Sequence, residues 1–184
     1  MKQELRRALL AKRQAIAPEL RAHYDAAIGA RLLAWWQRHP VRTLGVYWPI
    51  RGEADLLPTY AELASSGVRL ALPVVERDAP LRFAAWTPGD VLAPGAMKVP
   101  EPLPPHIPLE PEAVLVPCVG FNDGRYRLGY GGGFYDRTLA ASPRPLAIGI
   151  AYTCGEARFD AAGHDIALDA VITETAILSG EQDC

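Results

Sequence analysis

Apolar residues recur at helical spacing over the first part of the chain: Leu5, Ala8, Leu9 and Ile16, then Leu20, Tyr24, Ile28, Leu32 and Trp35. Positions three, four or seven apart share one face of a helix, so this pattern predicts two amphipathic helices in succession. Pro18 and Glu19 suit the start of the second, because proline is tolerated in a first helical turn and an acid faces the helix dipole there. The pattern then shifts to short apolar runs. Residues 43–50 (TLGVYWPI), 68–76 (VRLALPVVE), 81–87 (LRFAAWT), 113–119 (AVLVPCV) and 146–152 (LAIGIAY) read as strands, and 170–173 (AVIT) as a further one. Helix-like segments at 56–66 and 134–141 separate several of them. The predicted class is α/β: a mostly parallel central sheet with flanking helices behind an N-terminal helical pair. With 184 residues, 49% of them hydrophobic, the chain suffices for one ordinary core, so residues 1–184 are expected to form a single domain. There is no internal repeat.

Residues 91–112 depart from this alternation, carrying seven prolines in 22 residues. Proline lacks the backbone N–H that helices and central strands require, so this segment is predicted to be a long loop. It reads either as a surface linker or as a semi-rigid arm over a ligand cleft.

Composition narrows the partners. A formal net charge of −2 gives no general attraction to nucleic acid or anionic lipid, so any anion must be caught by a local group of cations. No apolar run approaches the roughly 20 residues of a membrane-spanning helix, and the first residues lack the apolar core of a signal peptide. A cytoplasmic protein, away from membranes and nucleic acid, is expected. Cys118, Cys154 and Cys184 have no metal-like spacing and are expected to be reduced thiols.

The chemistry concentrates at residues 127–139, RLGYGGGFYDRTL, which follow the apolar run at 113–121. Four glycines fall within five residues: Gly129, Gly131, Gly132 and Gly133. The pattern is neither GxxxxGK[ST] nor GxGxxG. A strand end, a glycine loop exposing backbone N–H groups and a following helix nevertheless make an anion-binding concavity. Arg125 and Arg127 would add fixed positive charge. Asp136, in the first turn of that helix, either faces the helix dipole or offers magnesium a carboxylate beside bound phosphates. The competing reading of the whole stretch is a tight structural turn.

The segment LVPCVGFNDGRYRLGYGGGFYDRTL resembles the signature of the 5-formyltetrahydrofolate cyclo-ligase family, also called methenyltetrahydrofolate synthetase. Four further segments agree in order: KQELR at 2–6, YWPIRGEADL at 47–56, KVPEP at 98–102 and HDIALDAVITE at 164–174. The resemblance implies ATP- and Mg2+-dependent closure of 5-formyltetrahydrofolate to 5,10-methenyltetrahydrofolate; a monomer is expected. Phosphoryl transfer depends mostly on alignment and charge neutralisation, so no nucleophilic side chain is required.

Carried over by position, the resemblance implies ATP contacts at Lys2, Gln3, Glu4, Leu5 and Arg6, and again at Arg127, Leu128, Gly129 and Tyr130. The ATP segment continues through Gly131, Gly132, Gly133, Phe134 and Tyr135. Folate contacts fall on Trp48, Glu53 and Met97, and on the loop from Tyr130 to Phe134. Catalytic roles fall on Arg127 and Glu53, and magnesium on Asp136 and Asp169. Several positions depart from the family's usual residues. Asn122 replaces a frequent aspartate, Phe134 a tyrosine, Tyr130 an arginine of some members, and Met97 an aromatic of others.

Two other classes remain open on these residues. One is a nucleotide-binding regulatory module without turnover, distinguished by whether Glu53 and the phosphate-facing cations converge on one cleft. The other is an RNA-associated protein with Lys2, Arg6, Arg7, Lys12 and Arg13 on a basic helical face and Trp35, Trp36 and Trp48 for stacking.

Overall fold

The structure is a computed structural model that describes residues 1–180. Two helices open the chain, α1 (Lys2–Gln14) and α2 (Pro18–Arg38), followed by β1 (Thr43–Gly45), α3 (Leu57–Ser65), β2 (Arg69–Val74) and β3 (Arg82–Trp86). A short ribbon of β4 (Leu92–Pro94) and β5 (Pro100–Pro102) precedes β6 (Ala113–Pro117), then a hairpin of β7 (Gly120–Phe121) and β8 (Arg127–Leu128). The chain ends with α4 (Phe134–Leu139), β9 (Leu146–Ile150), β10 (Ala170–Ile172) and β11 (Ile177–Ser179).

A seven-stranded sheet in the order β11-β10-β9-β6-β1-β2-β3 organises the described residues. Its five inner strands pair in parallel, and only the edge strands β3 and β11 run antiparallel to their neighbours. The central strand β6 reads AVLVP, and its first four residues are buried, as a parallel strand covered on both faces requires. Alternation divides these residues between two cores. Leu115 joins Ile28, Leu32 and Trp35 of α2 and Tyr60 and Leu63 of α3 on one face. Val114 and Val116 point the other way, toward Phe83, Leu139 and Leu168.

The expected α/β class is observed, with shorter strands. The 43–50 run leaves the sheet after Gly45, although the Val46 N–H still donates to Ala71. From there Tyr60 Oη donates to the Tyr47 carbonyl and Tyr47 Oη to that of Ala54, both at 2.8 Å. These bonds replace the lost ladder and steer Trp48 and Glu53 beyond the sheet end. The proline-rich segment is not the unbroken loop its composition predicts. Leu92 pairs with Pro102 and Pro94 with Pro100 in an antiparallel ribbon, whose outward edges need no proline N–H. The ribbon is held to the sheet by Glu101, 9% exposed, whose Oε1 accepts the Val75 N–H at 3.0 Å. Among the described residues, no helix is long and apolar enough to cross a membrane. Cys118 and Cys154 are free thiols, and Cys184 lies outside the described residues.

Candidate active site

A cleft of about 730 Å³ opens at the carboxyl ends of the parallel strands, where α/β sheets typically bind ligands. Helix α1 supplies one wall. Leu9, 2% exposed, packs with Val119 and Leu128 and seats the helix on the β7–β8 hairpin. Lys2, Arg6 and Arg13 share the side of the helix that Leu9 presents, at four- and seven-residue steps. Arg6 Nε donates to the Gly129 carbonyl at 2.8 Å, and Lys2 Nζ pairs with Asp165 Oδ2 at 3.1 Å. Gln3 and Glu4 are exposed and do not line the cleft; Leu5 packs against the Leu9 cluster instead.

The glycine loop forms the floor. Gly131 and Gly133 adopt φ of 99° and 70°, left-handed conformations that residues with a β-carbon rarely take. They turn the chain from β8 into α4 and leave loop backbone open to the cleft. Helix α4 is anchored by Thr138, whose Oγ1 accepts the Leu81 N–H at 2.8 Å and donates to Phe134. Phe134, Tyr135 and Asp136 are thereby held along the cleft wall.

Arg127 is the buried cation of this floor, its side chain 8% exposed. Its guanidinium lies over the Tyr135 ring at 5.2 Å, reaches the Pro117 carbonyl at 3.4 Å, and stands 3.9 Å from Asp136 Oδ2. Its Nε has no hydrogen-bond partner among the described residues. Buried donors are normally satisfied, so a guanidinium with unused capacity in a cleft is suited to an incoming anion. Arg125 does not join it: Nε donates to the Leu168 carbonyl at 3.0 Å, fastening the segment before β10.

The opposite wall carries the candidate folate contacts. Trp48 packs edge-to-face on Trp86 at 6.3 Å, and it lines the cleft together with Met97 at the tip of the proline-rich ribbon. Glu53 is 7% exposed; its Oε2 accepts the Ile50 N–H at 3.0 Å and its Oε1 accepts the Tyr130 hydroxyl at 2.9 Å. Burial raises its carboxyl above the ordinary glutamate value, while the Ile50 N–H, the Tyr130 hydroxyl, Arg13 and Arg51 pull it back. The guanidinium carbons of Arg51 and Arg13 stand 5.2 and 5.9 Å from the centre of the Tyr130 ring. Burial and the Glu53 charge push its phenol up to about 12.

Glu53, Arg127, Lys2, Arg6 and the glycine loop therefore converge on one cleft. Asp169 is placed elsewhere: its carboxylate is held by Arg144 at 2.9 and 3.1 Å and accepts the Ala147 N–H at 2.7 Å, so it does not meet Asp136 there. Among the described residues, no group of three or more His, Cys, Asp or Glu side chains is placed to hold a metal ion. A lone Asp136 still fits magnesium carried in by phosphates, because that ion characteristically takes one or two protein carboxylates and completes its shell with phosphate and water. The basic helical face and the tryptophans considered for RNA are only partly available. Arg13 is 4% exposed and Trp35 5%, with the Trp35 ring stacked on His39 rather than free for a base.

Sequence reasoning passed over Asp165 as Lys2's partner, and placed Arg13 only on a basic helical face rather than beside Glu53 and Tyr130. The signal for Arg13 was its register, four residues beyond buried Leu9. Asn122, where the family often has aspartate, uses both ends of its amide: Oδ1 accepts the Tyr126 N–H, and Nδ2 donates to Phe159. An aspartate could make only the first of these bonds.

Fold and cleft together define an α/β protein with a cleft lined by cations and a glycine loop at the carboxyl edge of a parallel sheet. The chain belongs to the 5-formyltetrahydrofolate cyclo-ligase family, whose model matches residues 1–174. It is 31% identical to the 5-formyltetrahydrofolate cyclo-ligase of Mycoplasma pneumoniae, over 94% of this chain and 98% of that one. The Escherichia coli K12 protein of the same name is 30% identical over 90% of this chain and 96% of its own length. The NMR structure of Aquifex aeolicus 5,10-methenyltetrahydrofolate synthetase superposes with a TM-score of 0.84 at 30% identity, covering 100% of this chain and 94% of that one.

Proposed function

We propose that this chain cyclises 5-formyltetrahydrofolate to 5,10-methenyltetrahydrofolate, consuming ATP in the presence of Mg2+ and releasing ADP and phosphate. The observation that carries this reading is the convergence of the glycine loop, the Arg127 guanidinium with its unpaired Nε and buried Glu53 on one cleft. It also favours turnover over a regulatory module, since a module that only bound nucleotide has no use for the second wall.

Triphosphate oxygens are assigned to the N–H groups of Gly131 to Gly133, to Arg127, and to Lys2 and Arg6 from α1. The folate is assigned to Trp48, Met97 and Tyr130, with Glu53 accepting hydrogen bonds from its ring N–H groups. In this reaction the formyl oxygen attacks the γ-phosphorus, an O–P bond forms, and the bond to the ADP oxygen breaks. The adjacent folate nitrogen then closes on the activated carbon, gives up its proton to solvent, and phosphate departs. Aligning two bound substrates and spreading charge over fixed donors is most of what such a transfer asks of a protein. Asp136 would hold the magnesium, which neutralises phosphate charge. In this reading the protein is a cytoplasmic monomer.

The decisive measurement is the absorbance of methenyltetrahydrofolate when purified protein meets 5-formyltetrahydrofolate. Product is expected only with ATP and a divalent metal together. Product without ATP, or none under any condition, would overturn the reading.

A further inference from the structure

Arg13 stands out among the cations of α1: Lys2 and Arg6 reach the cleft mouth, Arg7 and Lys12 are exposed, and Arg13 is buried. Its Nη2 donates to Tyr130 Oη at 2.6 Å and to the Arg51 carbonyl at 2.9 Å. Its Nε shares the Arg51 carbonyl at 3.2 Å, and Nη1 reaches that of Cys118 at 3.4 Å. Two backbone carbonyls would be enough to fasten the helix. The bond to Tyr130 does something else.

Donor chemistry fixes its direction. A guanidinium can only donate, so the Tyr130 oxygen accepts from Arg13, and its single proton is free to go to Glu53 Oε1 at 2.9 Å. A buried cation and a buried carboxylate are thus joined through one phenol at the edge of the cleft. From this geometry we propose that Arg13 is a positioning residue for folate recognition, acting through Tyr130 to hold Glu53 as an oriented anion toward the ring N–H groups. The inference rests on the assignment of Glu53 to the folate wall.

The surroundings of Glu53 make such help necessary. Two cations face it, Arg13 from α1 and Arg51 from the loop after β1. The other titratable neighbours are the phenols of Tyr47, Tyr60, Tyr130 and Tyr135 and the Cys118 thiol, all pushed up by burial and so uncharged at neutral pH. Burial favours the protonated carboxyl, and the Ile50 N–H, the Tyr130 hydroxyl and the two arginines oppose it. Protonated Glu53 would offer the folate one acceptor fewer. Removing the Tyr130 hydroxyl should let the carboxyl rise further, so folate binding should fail at a higher pH.

The test is calorimetric titration of the full chain with 5-formyltetrahydrofolate, without ATP, across acidic and neutral pH, alongside thermal melts. Tyr130→Phe keeps the ring near both arginines and removes only the hydroxyl. It is expected to melt like the original protein, bind folate about tenfold more weakly at neutral pH, and lose binding on the acid side about one pH unit higher. Arg13→Lys, which keeps the charge but not the fork, should move the acid limb in the same direction. An unmoved acid limb in Tyr130→Phe overturns the proposal whatever its affinity. Glu53→Gln separates the two layers. If it loses folate while Tyr130→Phe does not, the relay is structural only; if it binds folate normally, Glu53 leaves the folate wall and the inference falls with that assignment.

Discussion

Arg6 donates through Nε to the Gly129 carbonyl at 2.8 Å, across 123 residues of sequence. The bond joins the first helix to the last residue before the glycine turn. One guanidinium thus braces the loop and offers its remaining N–H groups to the cleft, so support and binding are combined in one side chain. Arg6→Ala is expected to weaken ATP binding about tenfold, or roughly 1.4 kcal/mol, and to lower stability by about 1 kcal/mol. Nucleotide titration and a melt measure the two effects separately; unchanged ATP affinity would reduce Arg6 to a brace.

At Gly132 the constraint is space rather than dihedral angle. A β-carbon there would come within 2.8 Å of the Phe134 ring, which itself lines the cleft. Gly132→Val should displace that ring into the ligand space and abolish nucleotide binding, with the sheet intact. Undiminished affinity in a folded variant would show the loop to be only a turn.

Asp136→Asn tests the metal assignment. The change keeps shape but removes the charge that faces Arg127 at 3.9 Å. Turnover should drop at least about tenfold, equivalent to about 1.4 kcal/mol in the barrier, with partial recovery at high magnesium and a melt close to that of the original protein. Normal activity with unaltered magnesium dependence would leave Asp136 a helix-start residue.

Asp169 should behave oppositely. Its carboxylate is occupied by Arg144 and the Ala147 N–H, so Asp169→Asn is expected to cost about 1 kcal/mol of stability and leave the magnesium dependence of turnover unchanged. A raised magnesium requirement would return Asp169 to the site.

Glu53 carries a linkage consequence. Its folded-state carboxyl titrates above the ordinary value of 4.5, so the unfolded chain gives up this proton first. Stability from this group is complete below 4.5 and declines as pH rises through the interval up to the folded-state value. At neutral pH the ionised carboxylate is therefore a cost to folding, and Glu53→Gln should melt no lower than the original protein while losing folate. A marked drop in melting temperature at neutral pH alone would contradict this.

How far the sequence could be read depended on whether a residue's partner was near it in the chain. The apolar runs AVLVP and LAIGI are local, and they announced the inner strands β6 and β9 directly. The glycine loop was legible for the same reason, its turn, N–H groups and following helix being contiguous. Asp169 was not, because its role depends on Arg144, 25 residues away, which no periodicity signals. Arg13 was read only as part of a basic helical face, because charge usually marks an exposed one; here the carbonyls of Arg51 and Cys118 and the Tyr130 hydroxyl, all distant in sequence, make its burial tolerable. The proline-rich ribbon escaped notice because proline removes the donors by which strands are normally recognised, while tertiary anchoring through Glu101 supplies what the pattern lacks.

The end of β6 serves both walls of the cleft. The Pro117 carbonyl receives Arg127 and the adjacent Cys118 carbonyl receives Arg13, each at 3.4 Å. Every amino acid supplies a carbonyl oxygen, so these two anchor points do not depend on which side chains occupy positions 117 and 118. Drift at the strand end is thereby decoupled from the chemistry it supports, provided the backbone path survives. Relatives can diverge there in side-chain composition without surrendering the geometry that holds the two guanidiniums.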